Sequence, residues 1–160
     1  MTRQDFVERF GGVFEHSPWV AEGAWEEGLN PSSAAELHAR MCAVLKSAPH
    51  ERQLGVLNAH PDLAGKLALA GALTAESTAE QASAGLDKCT PEEFDRLQAL
   101  NAAYKAKFGF PFIMAVKGRT RAEIIQTFEK RVNNDIETEF VTALRQVERI
   151  ALLRLNDMLS

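Results

Sequence analysis

The chain has 160 residues, of which 46% are hydrophobic and 25% charged, with a formal net charge of −4. This mixture excludes disorder as the default state, and a chain of this length can bury one core, so residues 1–160 read as a single domain. The acidic balance and the lack of any basic run beyond Lys117, Arg119 and Arg121 argue against a nucleic-acid partner, and no stretch approaches the ~20 apolar residues that span a membrane.

The predicted elements are helical from the start. Thr2 caps a short helix carrying Phe6, Val7 and Phe10, closed by Gly11-Gly12. Ser17-Pro18 places a cap residue before a proline and opens a second helix with Trp19 and Ala24, ending near Gly28. Four pairs then show the capping-box spacing of Ser or Thr followed three residues later by Glu: Ser33 with Glu36, Ser77 with Glu80, Thr90 with Glu93, and Thr120 with Glu123. The first opens a helix faced by Leu37, Met41, Val44 and Leu45, and a further helix bears Leu54 and Leu57. The third opens one with Phe94, Leu97, Asn101, Tyr104 and Phe108, and the fourth one with Ile124, Ile125, Phe128 and Val132. Between these two, Pro111 disfavours a helix, and Phe110 to Val116 reads as a short extended segment. A last helix runs from about Asp135 to Met158, with Ile136, Phe140, Leu144, Val147, Ala151 and Leu155 on one stripe. No sustained two-residue alternation predicts a sheet. The expected fold is all-α, about seven or eight helices with one extended segment near 110–116.

Cys42 and Cys89 are isolated thiols, which suits a reducing compartment. The N-terminus lacks a secretory apolar core and the C-terminus lacks a Ser-Lys-Leu tripeptide, so the protein is expected in the cytosol.

Three stretches carry possible chemistry. In His60-Pro61-Asp62-Leu63-Ala64-Gly65-Lys66 the proline pushes His60 out of helical geometry, where it can cap a helix or act as general acid or base. In Ser77-Thr78-Ala79-Glu80-Gln81 a helix start offers amides to an anion beside Glu80 and Gln81, or is only a helix start. The run Lys107 to Ile113 is core, or a pocket wall whose backbone amides meet a ligand's polar edge. His38 and Cys42 share a helix face but lack a second ligand pair, so no metal is called for. No nucleotide or cofactor motif is present.

Taken in order, His-Pro-Asp-Leu-Ala-Gly at 60–65, Ser-x-x-Glu-Gln at 77–81 with Ala84-Gly85-Leu86, and Leu100-Asn101 through Tyr104 to Phe108-Gly109-Phe110-Pro111-Phe112 resemble the OHCU decarboxylase family. The likeness continues through Arg131-x-x-Asn134 and Arg154-Leu155. It implies an all-helical, cofactor-free carboxy-lyase, commonly a homodimer. Its small-molecule substrate is 2-oxo-4-hydroxy-4-carboxy-5-ureidoimidazoline, converted to (S)-allantoin in the last step of urate-to-allantoin conversion. It also implies His60 as catalytic acid and Glu80 as a catalytic partner. Pro61, Ser77, Glu80 and Gln81 would contact substrate, with Phe112, Ile113, Met114, Ala115 and Val116 contributing mainly backbone and Arg131 an anion contact. Two other readings compete: a non-enzymatic helical module binding a small ligand or partner, and a metal-dependent hydrolase using His60, Asp62 and His38.

Overall fold

The computed structural model describes residues 2–26, 33–60, 91–115 and 119–159. Seven helices lie among them: α1 (Arg3–Phe10), α2 (Trp19–Glu26), α3 (Ala34–Ser47), α4 (His50–Ala59), α5 (Pro91–Phe108), α6 (Arg121–Arg131) and α7 (Ile136–Leu159). The described residues contain no strand, as the helical punctuation predicts. The helix expected from Ser77 and the cap at Thr90 lie outside the described residues. Among the described residues no helix is long and apolar enough to cross a membrane.

The chain divides into two compact units, Met1–His60 with Val147–Ser160, and Pro61–Gln146. In the first, Thr2 and Asp5 close a reciprocal capping box on α1, one not anticipated from the Glu/Gln pattern because Asp takes the third position. Ser33 caps α3 through the Glu36 amide, while the Glu36 carboxylate reaches Arg40 at 3.2 Å. Ser17 does not act as the expected cap: its hydroxyl donates to the Glu15 carbonyl at 2.9 Å. A Cβ on Gly23 would meet Val44 Cγ1 at 2.7 Å, so glycine permits the close approach of α2 to α3. Phe6, Phe10, Phe14, Leu37, Met41, Leu45, Val56 and Leu57 form the buried core of this unit with Val147, Ala151 and Leu155.

The second unit is built around an aromatic cluster. Tyr104 meets Phe108, Phe110, Phe112 and Phe128 at ring-centroid distances of 4.6, 5.8, 5.4 and 5.7 Å. Phe112 stacks on Phe128 at 3.9 Å. Burying each such side chain contributes roughly 1.5–3 kcal/mol. Gly109 ends α5 in the left-handed region (φ 78°), its amide donating to the Lys105 carbonyl, and the chain then runs without regular secondary structure through residues 111–115. Thr120 caps α6 through the Glu123 amide, and the Asp135 carboxylate caps α7 through the Thr138 amide at 2.7 Å.

The expected stripe on α7 needs one correction. Val147, Ala151 and Leu155 are buried, but Ile136 is 57% exposed, and Glu139 and Arg154 occupy buried positions beside Ala143 and Ile150. The buried face therefore includes two charged residues that an apolar pattern passes over.

Candidate active site

His60 is the C-cap residue of α4, with the extended backbone (φ −73°, ψ 142°) that a following proline favours. Its Nδ1 lies 2.9 Å from the Val56 carbonyl oxygen. A carbonyl can only accept, so Nδ1 carries the hydrogen, and in the neutral ring Nε2 presents a bare lone pair. The residue is 7% exposed, and Nε2 is buried with no hydrogen-bond partner among the described residues. Burial lowers its pKa from 6.5 to about 4. Arg154 and His16 push the same way, against the Val56 hydrogen bond and the Glu15 carboxylate. The resting imidazole is thus neutral at physiological pH, and a proton that it donates from Nε2 must first be taken up.

Two charged residues lie near this ring. Arg154 Nη2 sits 2.6 Å from Glu15 Oε1, with both side chains buried, and Nη1 donates to the Val13 carbonyl at 3.1 Å. Glu15 is held in the turn between α1 and α2, where His16 adopts left-handed backbone (φ 44°). Sequence reasoning missed Glu15, since no motif surrounds it. Arg154 belongs to the family likeness in the sequence, and its burial follows from helical phase, because it falls one turn after Ile150 on the buried face of α7.

The second unit gathers Phe112, Ile113, Ala115 and Arg131. The Arg131 guanidinium, buried at the end of α6, donates from Nε to both Glu139 oxygens at 3.2 and 2.9 Å, and Nη2 lies 2.6 Å from Glu139 Oε2. Nη1 donates to the Ile113 carbonyl at 2.7 Å, and the guanidinium carbon lies 4.3 Å from the Phe112 ring centroid. Tyr104 and Asn134 also donate to the Glu139 carboxylate. Burial, foremost, and the Glu139 carboxylate keep the Tyr104 phenol protonated by raising its pKa. The Ala115 amide donates to Gln146 Oε1 at 2.9 Å. The amides of Ile113 and Met114 have no hydrogen-bond partner among the described residues. Phe112 and Ile113 are buried.

Pro61, Asp62, Ser77, Glu80, Gln81 and Val116 lie outside the described residues. His38 Nε2 donates to the Glu148 carbonyl at 2.6 Å and lies 3.2 Å from Cys42 Sγ. Burial and the Glu148 carboxylate push the Cys42 thiol up to about 12, far from a metal-ligating thiolate. Among the described residues no three His, Cys, Asp or Glu side chains group as a metal site.

These features define a helical protein with a buried imidazole in one unit and, in the other, an irregular backbone segment anchored by an arginine. The OHCU decarboxylase family matches residues 1–156, across both units, and the chain belongs to that family. It is 43% identical over 157 residues to the 2-oxo-4-hydroxy-4-carboxy-5-ureidoimidazoline decarboxylase of Halalkalicoccus jeotgali, covering 98% of this chain and 86% of that one. It is 44% identical over 156 residues to the corresponding decarboxylase of Haloferax volcanii, covering 97% and 89%. Its fold also matches the crystal structure of an (S)-allantoin synthase with a TM-score of 0.78 at 30% identity, over 99% of this chain and 51% of that one.

Proposed function

We propose that this protein decarboxylates 2-oxo-4-hydroxy-4-carboxy-5-ureidoimidazoline to (S)-allantoin, the last step of urate-to-allantoin conversion in purine degradation. Family membership supports the reaction class. The observation that carries the mechanism is the state of His60: Nδ1–H fixed on the Val56 carbonyl, Nε2 buried with its lone pair uncommitted among the described residues.

No cofactor is needed, because the substrate ring supplies its own electron sink. As the carbon–carboxylate bond breaks, its electron pair moves into the ring toward the C=N nitrogen. Neutral His60 takes the proton of the substrate's hydroxyl at Nε2. The resulting imidazolium returns that proton to one face of the ring carbon bearing the ureido group, which fixes the handedness of the product. One further proton from solvent neutralises the ring nitrogen. The hydroxyl carbon ends as a carbonyl, carbon dioxide departs, and His60 is neutral again. A low resting pKa keeps the base free of protons, and the return step is strongly downhill.

The remaining substrate contacts carry over from the resemblance: Pro61, Ser77, Gln81, Glu80 as catalytic partner, and the backbone of residues 112–116. Amides aimed at developing negative charge stabilise a transition state as an oxyanion hole does, and those of Ile113 and Met114 are uncommitted among the described residues. The same reading makes the protein a cytosolic homodimer, and the free, buried thiol of Cys42 suits a reducing compartment. The test is His60→Asn: a folded variant with turnover reduced roughly a hundred- to ten-thousand-fold is expected. Near-wild-type turnover in that variant would remove His60 from the mechanism.

A further inference from the structure

We infer that Arg131 serves the reaction at one remove, as a positioning residue: clamped by Glu139, it holds the Ile113 carbonyl and so fixes where the Ile113 and Met114 amides point. The inference rests on the proposed role of residues 112–116 as a backbone contact for substrate, and it replaces the anion contact that the resemblance implied for Arg131.

The geometry favours an inward task. Arg131 is the last residue of α6 and Glu139 lies in the first turn of α7, so each charge sits at the helix end whose dipole favours it. Nε donates to Glu139 and Nη1 to the Ile113 carbonyl, while Nη2 lies 2.6 Å from Glu139 Oε2, buried and without a hydrogen bond among the described residues. The guanidinium carbon also lies 4.3 Å from the centroid of the Phe112 ring, which in turn packs against the rings of Phe128 and Tyr104. Tyr104 and Asn134 donate to the same carboxylate, which fixes the clamp from two further directions. Apolar replacement of a buried ion pair is often neutral or stabilising, so stability alone is a weak reason for this one. What it supplies is orientation. The segment lacks a helix's own hydrogen bonds, and Arg131 anchors it at Ile113 while Gln146 anchors it at Ala115. The two amides that have no partner among the described residues lie on and between those anchors.

Arg131→Lys, Glu139→Gln and Tyr104→Phe test this in the full chain, read by steady-state kinetics and by the 15N–1H shifts of the Ile113 and Met114 amides without substrate. Tyr104→Phe removes only a hydroxyl and keeps both charges, so it remains informative if the first two fold poorly. The expected result is that all three shift both amides. In every variant that folds, kcat should fall by about tenfold to a hundredfold, the scale of a small misplacement of binding groups, with KM moving much less. Glu139→Gln should parallel Arg131→Lys although Glu139 meets no substrate. Lost turnover with both amide signals unmoved would overturn the inference in favour of direct contact by Arg131. Moved amide signals with unchanged kinetics would overturn it differently, by removing residues 112–116 from the substrate site.

Discussion

Acid should destabilise this protein through His60, and replacing that residue should cancel the effect. In the folded chain burial holds the imidazole pKa down at about 4, against 6.5 for an ordinary histidine. Between those values the unfolded chain binds the proton that the folded chain refuses, so stability rises with pH across the window and is fully retained above about 6.5. At about 1.4 kcal/mol per pH unit, acidification from pH 7 to pH 4 removes about 3 kcal/mol, roughly half of it by pH 5.5. That is a large share of the 5–15 kcal/mol typical of a folded domain. His60→Asn has no such titration. Urea unfolding followed by circular dichroism at pH 7, 5.5 and 4 gives the stability of both proteins, and subtracting them cancels groups not coupled to position 60. The variant should gain about 3 kcal/mol on the wild type between pH 7 and pH 4. A difference independent of pH would mean that the folded chain accommodates the imidazolium, and the neutral resting state would be wrong.

Three further outcomes follow from the same residues. Glu80→Ala should lose about a hundredfold or more in turnover, whereas Glu36→Ala and Glu123→Ala, which follow the Ser33 and Thr120 caps, should lose only about 0.5–2 kcal/mol of stability; equal turnover in all three would reduce Ser77 and Glu80 to a helix start. Activity should survive exhaustive dialysis against EDTA without added cofactor, and loss restored by a single metal would contradict this. Arg154→Met leaves the buried Glu15 carboxylate without its guanidinium and should cost about 3–5 kcal/mol in chemical denaturation, much of it recovered when Glu15→Leu is added; simple additivity of the two losses would count against the pair.

The fold was legible wherever local chemistry set it. Thr2, Ser33 and Thr120 start helices because their side chains satisfy amides that the helix cannot, and Gly109 with Pro111 ends α5 because one tolerates a left-handed turn and the other resists a helix. Pro61 likewise marks His60 as a helix exit. What resisted reading depends on partners distant in sequence. Glu15 and Arg154 stand 139 residues apart, and Glu139 looks like an ordinary first-turn acid until Tyr104 and Arg131 converge on it. The tautomer of His60 was hidden for another reason. Its Val56 partner is local, but the burial that keeps the ring neutral belongs to the folded unit. Arg131 was legible by resemblance, whereas its bonds to Glu139 and to the Ile113 carbonyl depend on how the folded unit brings those residues together.

The decisive assay supplies the purified protein with freshly generated 2-oxo-4-hydroxy-4-carboxy-5-ureidoimidazoline and follows the optical activity of the product beside carbon dioxide release. Rapid carbon dioxide release with (S)-allantoin in large enantiomeric excess, both lost in His60→Asn, is the result expected. Decay at the rate of the protein-free solution, or a racemic product, would contradict the assignment of this chain as the decarboxylase.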